Sequence, residues 1–265
     1  MPEPPVPTAT RATSPLLAPG VDVEVATWRP AEVERVDGWV LGFSGGLTRR
    51  GNSVVAATEP SDLTAALEQV EARYSARGLP TTFRVDADAR PSHLDALLEG
   101  RGYRAVATTH VLVRDLVDRD GEPGGGSLPE RTRPSGNRVA DEPDEAWLRG
   151  WLDVKVAGVT DAGLARRLLT GSSATYLTAR DLSGVTGVIR AGYADDWVGL
   201  SCLMVAARAR RRGLARSLTL DAMDVALARG ARRAFLQVEA DNDPARVLYE
   251  GLGFRLAQTY HYRER

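Results

Sequence analysis

One stretch of the chain constrains its fold more than any other. An apolar, strand-like run ending at Val205 passes through Ala-Ala-Arg-Ala-Arg210-Arg211-Arg212-Gly213 straight into an amphipathic helix. Leu214, Leu218, Ala222 and Val225 share one face of that helix, which runs to about Arg229 and stops at Gly230. Strand, basic glycine turn and helix in immediate succession make an α/β unit with an anion site built in. The first N–H groups of a helix lack intrahelical partners and the macrodipole is positive there, so main chain can hold a pyrophosphate while Gly213 permits close approach. Arg210, Arg211 and Arg212 would add charge-assisted contacts. Taken alone, a run of arginines reads as a solvated face.

The segment does not stand alone. After one strand, Ala234 to Val238, comes Glu239-Ala240-Asp241-Asn242-Asp243-Pro244-Ala245, then Leu248-Tyr249-Glu250-Gly251-Leu252-Gly253-Phe254 and a last strand, Leu256 to Tyr262. Pro244 suits the first position of a short helix, with Asp243 as its N-cap. Upstream, a helix over 144–156 and one near 162–169 precede strands over 174–179, 185–193 and 197–205. The N-terminal part reads as strand 38–44, turn Gly45-Gly46, strand 52–57, a helix capped by Ser61 or Asp62, strand 82–85, helix 91–100 and strand 105–113. Both parts follow one order, strand, helix ending in Gly, strand, short helix, Gly-aromatic, strand, which suggests duplication of a single unit. Between them, 119–137 is rich in Gly, Pro and charge and reads as a linker. The expected organisation is a loose tail over 1–20, an N-terminal domain over 21–118 and a C-terminal domain over 138–265.

Composition narrows the function. The 265 residues carry 34 Lys and Arg against 35 Asp and Glu, a net charge of -1 that argues against a nucleic-acid or membrane-surface binder. All but Lys155 of those cations are arginines, a bias that high-GC bacterial genomes impose, so arginine counts carry no functional weight. Cys202, the only cysteine, rules out an intrachain disulfide and fits a reducing cytoplasm. No apolar run reaches the roughly 18 residues that span a bilayer. His93, His110 and His261 are too scattered for a helical metal pair, so no metal is expected.

Together the two motifs resemble the GCN5-related N-acetyltransferase (GNAT) superfamily. Its acyl-CoA pyrophosphate loop, Arg or Gln, two residues, Gly, one residue, Gly or Ala, matches Arg210, Gly213 and Ala215 at the family distance from Val205. Its later motif matches Asn242, Ala245, Leu248, Tyr249, Glu250, Leu252, Gly253 and Phe254. The likeness covers nearly all of 138–265. Trp28-Arg29-Pro30-Ala31, Gly38-Trp39, Arg49 to Val54 and the ending Tyr260-His261-Tyr262-Arg263 also resemble a two-part actinobacterial type, the cg3035/Rv0428c family.

The resemblance implies an α/β (α+β) protein of two GNAT-like halves, each a mixed, mostly antiparallel sheet flanked by helices, with acyl-CoA motifs only in the C-terminal half. It implies acetyl-CoA as co-substrate and an amine acceptor. Backbone at Leu203, Met204 and Val205 would meet the pantetheine arm, Arg211, Arg212, Gly213, Leu214, Ala215 and Arg216 would cradle the pyrophosphate, and Asn242 would hold the pantetheine end. Tyr249 would protonate the departing thiolate, a role that aminolysis of a thioester requires in any case. Relatives often place a Glu general base five residues before the Asn. Here that position is Gln237, which leaves Glu239 as nearest carboxylate, on the same face only if the strand stays regular. Asp195 and Asp196 are alternatives through water, or an ordinary polar turn. Cys202, mid-strand and without a neighbouring His, reads as packing.

The N-terminal half has Thr58-Glu59-Pro60-Ser61-Asp62-Leu63 where a phosphate loop would stand, and its acids would repel a pyrophosphate. That half is expected to wall off the acceptor cleft, with Trp39, Arg49, Arg50 and Asn52 as candidate contacts. The resulting expectation is acetyl transfer to a primary amine of a small metabolite or natural product, by a monomer or homodimer. Protein lysine or N-terminal acetylation, or a non-catalytic acyl-CoA sensor, are the alternatives.

Overall fold

The computed structural model describes residues 17–117, 136–155 and 161–265. The expected linker lies almost wholly, and the expected tail largely, outside them.

The chain opens with a short helix α1 (Val21–Thr27), then strands β1 (Glu32–Val36), β2 (Trp39–Phe43) and β3 (Val54–Val55). Asp37 and Gly38, both at positive φ, form the two-residue turn between β1 and β2. Helix α2 (Leu63–Ser75) starts at Asp62, whose side chain accepts from the Ala65 N–H. It buries Leu67, Val70 and Tyr74 against β2, where the Tyr74 hydroxyl donates to the Gly42 carbonyl at 3.0 Å. Strand β4 (Thr82–Val85), helix α3 (Leu94–Gly100) and the long strand β5 (Arg104–Asp115) complete the first part.

The second part runs β6 (Arg138–Ala140), α4 (Glu145–Lys155), α5 (Ala162–Thr170), β7 (Ala174–Asp181), β8 (Gly184–Ala194), β9 (Trp197–Val205), α6 (Leu214–Ala228), β10 (Arg233–Glu239), α7 (Asp243–Glu250) and β11 (Arg255–Glu264). The cap of α7 is Asn242 rather than Asp243, its Oδ1 accepting from Ala245 N at 3.3 Å, so Pro244 falls one position later than expected. Both residue types cap well; the register is decided by Asn242 holding the non-helical conformation.

The eleven strands among the described residues form one sheet, in the order β1-β2-β3-β4-β11-β5-β10-β9-β8-β7-β6. The sequence suggested a sheet in each half; the two are joined because each half's last strand lies in the other's territory. Strand β11 pairs with β4, and β5 pairs with β10. Among these strands, β3 with β4 and β9 with β10 run parallel. Helices α6 and α7 cover one face of the C-terminal strands, Leu218, Ala222 and Met223 packing with Ile189, Val198 and Leu200. The other face is covered by α4 and α5 through Trp147, Trp151 and Leu168. Each Leu, Ile, Val or Met among them, fully buried, contributes about 1.5–3 kcal/mol of transfer free energy.

Helix α1 crosses onto the strands β8 and β9 of the second part. Its last residues sit so close that a Cβ at Gly192 would meet the Thr27 carbonyl at 2.5 Å, and one at Gly199 the Thr27 hydroxyl at 2.8 Å. Arg190, fully buried, fastens this contact by donating to the Thr27 carbonyl at 2.8 Å, the Leu169 carbonyl at 2.9 Å and the Ser172 hydroxyl at 2.7 Å. This contact sets Trp28, the residue after α1, against the second part of the chain, with its ring 6.5 Å from that of Trp151.

Candidate active site

The site begins where two parallel strands part. Strands β9 and β10 pair from Trp197 with Arg233 to Leu200 with Leu236, and no further. Beyond that point β9 carries a bulge: between Ser201 and Met204 it has two residues where its β8 neighbour has one, and Cys202 takes φ 57°. An extra residue bends a strand and raises its twist, here turning β9 away from β10. The gap opens into a cleft of about 710 Å³, lined on this side by Ser201 to Met204, Gln237 to Glu239, Asn242 and Tyr249. Its opposite wall comes from the first part of the chain, through Trp28, Arg49 and Arg50.

Below the parted strands lies the basic turn. Val205 ends β9, Ala207–Ala209 form one 3-10 turn, and Arg211 (φ 61°) and Gly213 (φ 75°) are both left-handed. Gly213 caps α6 without any side-chain acceptor, and the first helical bond runs from Ser217 N to Gly213 O at 2.9 Å. Consequently the N–H groups of Arg211, Arg212, Gly213, Leu214, Ala215 and Arg216 have no acceptor among the described residues. These N–H groups and the helix dipole behind them are the features by which a helix start can hold an anion. Arg210 folds back, its Nε donating to the Val205 carbonyl at 3.3 Å, and Arg208 is tied to Asp181 and to the Val185 carbonyl. Arg211, Arg212 and Arg216 are exposed.

The corresponding helix start in the N-terminal part already holds an anion of its own. The Asp37 carboxylate accepts from Ser61 N, the Ser61 hydroxyl and Asp62 N, and the hydrogen bond from the hydroxyl does most to pull its pKa down.

Tyr249 lies on the buried face of α7, 8% exposed, its ring edge-on to Phe254 at 5.8 Å. Its hydroxyl has no hydrogen-bond partner among the described residues, and burial raises its pKa, so it stays protonated. A neutral phenol lining a cleft is equipped to donate a proton to an anionic leaving group.

Strand β10 stays regular against β5 as far as Glu239 with Thr109, so Gln237 and Glu239 share the cleft face. Glu239 is exposed and pairs with Arg49 at 3.8 Å; Arg49 in turn lies 3.7 Å from Glu264 at the end of β11. Asp195 and Asp196 sit at the opposite end of β9, in the β8–β9 turn, where Asp196 grips Arg233 at 2.6 Å. They do not enter the cleft. The Cys202 side chain packs toward the Trp147 and Trp151 cluster.

Gln237 belongs to a buried chain of contacts that sequence reasoning missed. Its Nε2 donates to the carboxylate of Glu24, and its Oε1 accepts from Arg50 Nη1 at 2.6 Å. Glu24, 2% exposed, binds the Arg84 guanidinium with both oxygens, at 2.6 and 3.0 Å. Burial works against the charge on Arg84, but the Glu24 carboxylate, with Tyr260 and Asp86, more than restores it and raises its pKa. Arg84 also lies over the Tyr260 ring at 4.1 Å, and Arg50 over the Trp28 ring at 4.5 Å. Of the other N-terminal candidates, Trp39 is fully buried and donates to the Thr58 carbonyl, while Asn52 braces its own loop through Ser44 N, Gly46 N and the Thr48 carbonyl.

A mixed sheet with one parted parallel pair, an N–H cradle under it and a protonated phenol beside it define an acyltransferase enzyme of the GNAT superfamily. The chain belongs to the Rv0428c family: the model for "Probable histone acetyltransferase Rv0428c C-terminal" matches residues 22–263. It is 24% identical over 243 residues to the uncharacterized N-acetyltransferase YobR of Bacillus subtilis, covering 90% of this chain and 94% of the relative. Among solved structures, a GCN5-related N-acetyltransferase from Kribbella flavida aligns with a TM-score of 0.60 at 16% identity, over 89% of this chain and 90% of the other. A tandem GNAT protein from the clavulanic acid biosynthesis pathway aligns at 0.58 and 17%, over 76% and 69%. These structures share the fold. No helix among the described residues is long and apolar enough to cross a membrane.

Proposed function

We propose that the cleft transfers the acetyl group of acetyl-CoA to the primary amine of a small metabolite or natural product, by direct attack in a ternary complex. One observation carries this reading: β9 parts from β10 in a cleft lined by Tyr249, whose hydroxyl has no partner among the described residues, and β9 leads directly into the six N–H groups of 211–216, which have no acceptor among those residues. The pyrophosphate lies on the cradle with Arg211, Arg212 and Arg216 around it. Pantetheine runs between the strands, meeting backbone at Leu203, Met204 and Val205 and the side chain of Asn242. The amine nitrogen attacks the thioester carbon, a C–N bond forms, and the C–S bond breaks. Glu239 takes the proton the amine loses, and Tyr249 gives one to the thiolate. No acyl-enzyme intermediate is required. Residues 21–118 bind no acyl-CoA and serve as the acceptor wall.

Incubation with isotopically labelled acetyl-CoA and a polar metabolite extract, beside Tyr249→Phe, tests this. A labelled small molecule that weakens in the variant supports it. A second reading, acetylation of protein lysines or N-termini, is favoured by the family description, which names a histone acetyltransferase. Label found only on protein would establish that reading, and no label despite acetyl-CoA binding would leave a sensor.

A further inference from the structure

Aminolysis of a thioester asks for a group to take the proton of the amine, a group to protonate the sulfur, and a donor for the carbonyl oxygen, on which negative charge collects as the amine adds. Glu239 and Tyr249 fill the first two roles in the reading above, and no side chain fills the third. Several side-chain donors that line the cleft are already committed. Gln237 Nε2 donates to Glu24, Thr109 Oγ1 to the Ala107 carbonyl at 2.8 Å, and the Tyr260 and Tyr262 hydroxyls pair with each other at 3.3 Å.

Ser201 differs. Its Oγ is buried and has no hydrogen-bond partner among the described residues. Buried hydroxyls are ordinarily satisfied, so an orphan on a residue of the cleft wall marks a contact that the protein alone does not make. Its place in the strand is specific. Parallel pairing of β9 with β10 stops at Leu200 with Leu236, which makes Ser201 and Gln237 the first residues on either side of the opening. Ser201 also pairs with Arg190 of β8, so the two side chains share one face of the sheet, and Arg190 lies 5.4 Å from the Trp28 ring. Ser201 is thus on the face that carries the acceptor wall, and the bulge residue Cys202, at φ 57°, follows it directly. The indole N–H of Trp28 is the other orphan donor of the cleft. Its ring holds it in place, edge-on to Trp151 at 6.5 Å with Arg50 over it at 4.5 Å. A serine hydroxyl turns about one bond between staggered positions, and this one gives up no hydrogen bond in turning.

Resting on the transferase reading above, we propose that the Ser201 hydroxyl donates to the carbonyl oxygen of the bound thioester. When the amine nitrogen adds its electron pair to the carbonyl carbon, the π pair moves onto that oxygen. The Ser201 O–H then faces a full negative charge and keeps its proton. Re-forming the C=O bond expels the thiolate, which Tyr249 protonates, and Glu239 takes the proton that nitrogen loses. Ser201 is in this way a catalytic residue, because its hydrogen bond is stronger in the transition state than in the ground state.

The test is isotope-edited infrared spectroscopy of acetyl-CoA, labelled at its carbonyl carbon and bound to the protein. Thiol release with a panel of primary amines and the acetyl-CoA Kd are measured on the same variants. A donor on a carbonyl oxygen lowers its stretching frequency, so the wild-type band should lie below that of Ser201→Ala. Ser201→Thr keeps the hydroxyl and should keep the low band. Ser201→Ala should lower kcat by about 100-fold, the lower end for one lost oxyanion donor, with the acetyl-CoA Kd unchanged. Because this variant removes an orphan and no hydrogen bond, its urea midpoint should not fall, which separates loss of the donor from loss of structure. The proposal is overturned if wild type and Ser201→Ala give the same band, or if Ser201→Ala keeps the wild-type kcat. Equal bands with thiol release to an amine would sink this inference and leave the transferase standing. A Ser201-dependent band without thiol release to any amine would support the contact and sink the transferase reading.

Discussion

Arg50, in the turn after β2, donates to the side chain of Gln237 on β10 at 2.6 Å, a contact that spans 187 residues of chain. The amide is the group this position needs, because it must accept from Arg50 and donate to Glu24 at once. A carboxylate accepts only. Gln237→Glu would therefore not create a better base; it would set a second carboxyl against Glu24 in a half-buried site. The expected outcome is a loss of about 1–3 kcal/mol in urea unfolding, the range for a buried polar group left unsatisfied, with no gain in kcat. A more active Gln237→Glu protein would refute this account of the position.

Glu24 and Arg84 are 2% and 6% exposed, so each is the other's condition for being buried. Glu24→Ala leaves Arg84 facing Asp86 alone, at 3.0 Å. Breaking a buried pair by removing one partner costs about 3–5 kcal/mol, and the remaining Asp86 contact places this case near the lower end. Glu24→Ala combined with Arg84→Met should recover part of the loss, because the buried guanidinium leaves with its main partner and only the Asp86 carboxylate, 10% exposed, loses its contact. Equal instability of single and double variants would show that packing, not charge, sets the cost.

What could be read from sequence follows a physical division. Long periodic elements were legible: α2, α6 and strands β7 to β10 lie within a few residues of their expected places, since each buries one regular face. The strand, turn and helix around Gly213 were legible for the same reason, being local. Helix α1 was not, because Val21, Val23 and Val25 alternate as in a strand and its seven residues are fastened at Thr27, against Gly192 and Gly199 far along the chain. Strand β1 was missed because its residues are mostly exposed, although the Asp37-Gly38 dipeptide is a hairpin signal that marks it. With α1 went Glu24, and with it the environment of Gln237. Nor does any local pattern reveal that β5 and β11 cross into each other's half, a pairing decided by contacts remote in sequence.

Tyr249→Phe should lower kcat by about 10- to 100-fold, short of the full range for general acids because water partly substitutes, and leave the acetyl-CoA Kd unchanged. Burial raises the pKa of this phenol above its ordinary value of 10.0, so the acid form persists on the alkaline side. Wild-type kcat should thus show no descending limb from Tyr249 below pH of about 10. A limb near pH 8 that vanishes in the variant would contradict the raised pKa.

All seven tyrosines, at 74, 103, 176, 193, 249, 260 and 262, are shifted upward, in each case chiefly by burial. Above pH of about 10 the unfolded chain loses phenolic protons that the folded chain keeps. The native state then binds more protons than the unfolded one, so stability falls as pH rises. Stability from these groups is complete below that pH and declines above it. Urea midpoints at pH 9 and 10.5 should differ in that sense, and a flat profile would mean that the phenols ionise in the folded protein.

Gly213→Ala isolates the backbone contribution to acyl-CoA binding. A Cβ at this position meets nothing within 4 Å, so the substitution brings no clash and no lost packing. Its cost comes from φ, +75°, which an L residue adopts at about 1–2 kcal/mol. Relaxation away from that conformation would turn the N–H groups of 214 to 216 off their common point. Acetyl-CoA should bind about 10-fold more weakly, from the same energy, while dephosphorylated fragments that lack the pyrophosphate bind as before. By contrast, Arg212→Ala should weaken binding in a salt-dependent way, since an exposed guanidinium acts through a screened field. Titrations of both variants at low and high salt separate the two: the alanine at 213 should show the wild-type salt slope, and the alanine at 212 a shallower one.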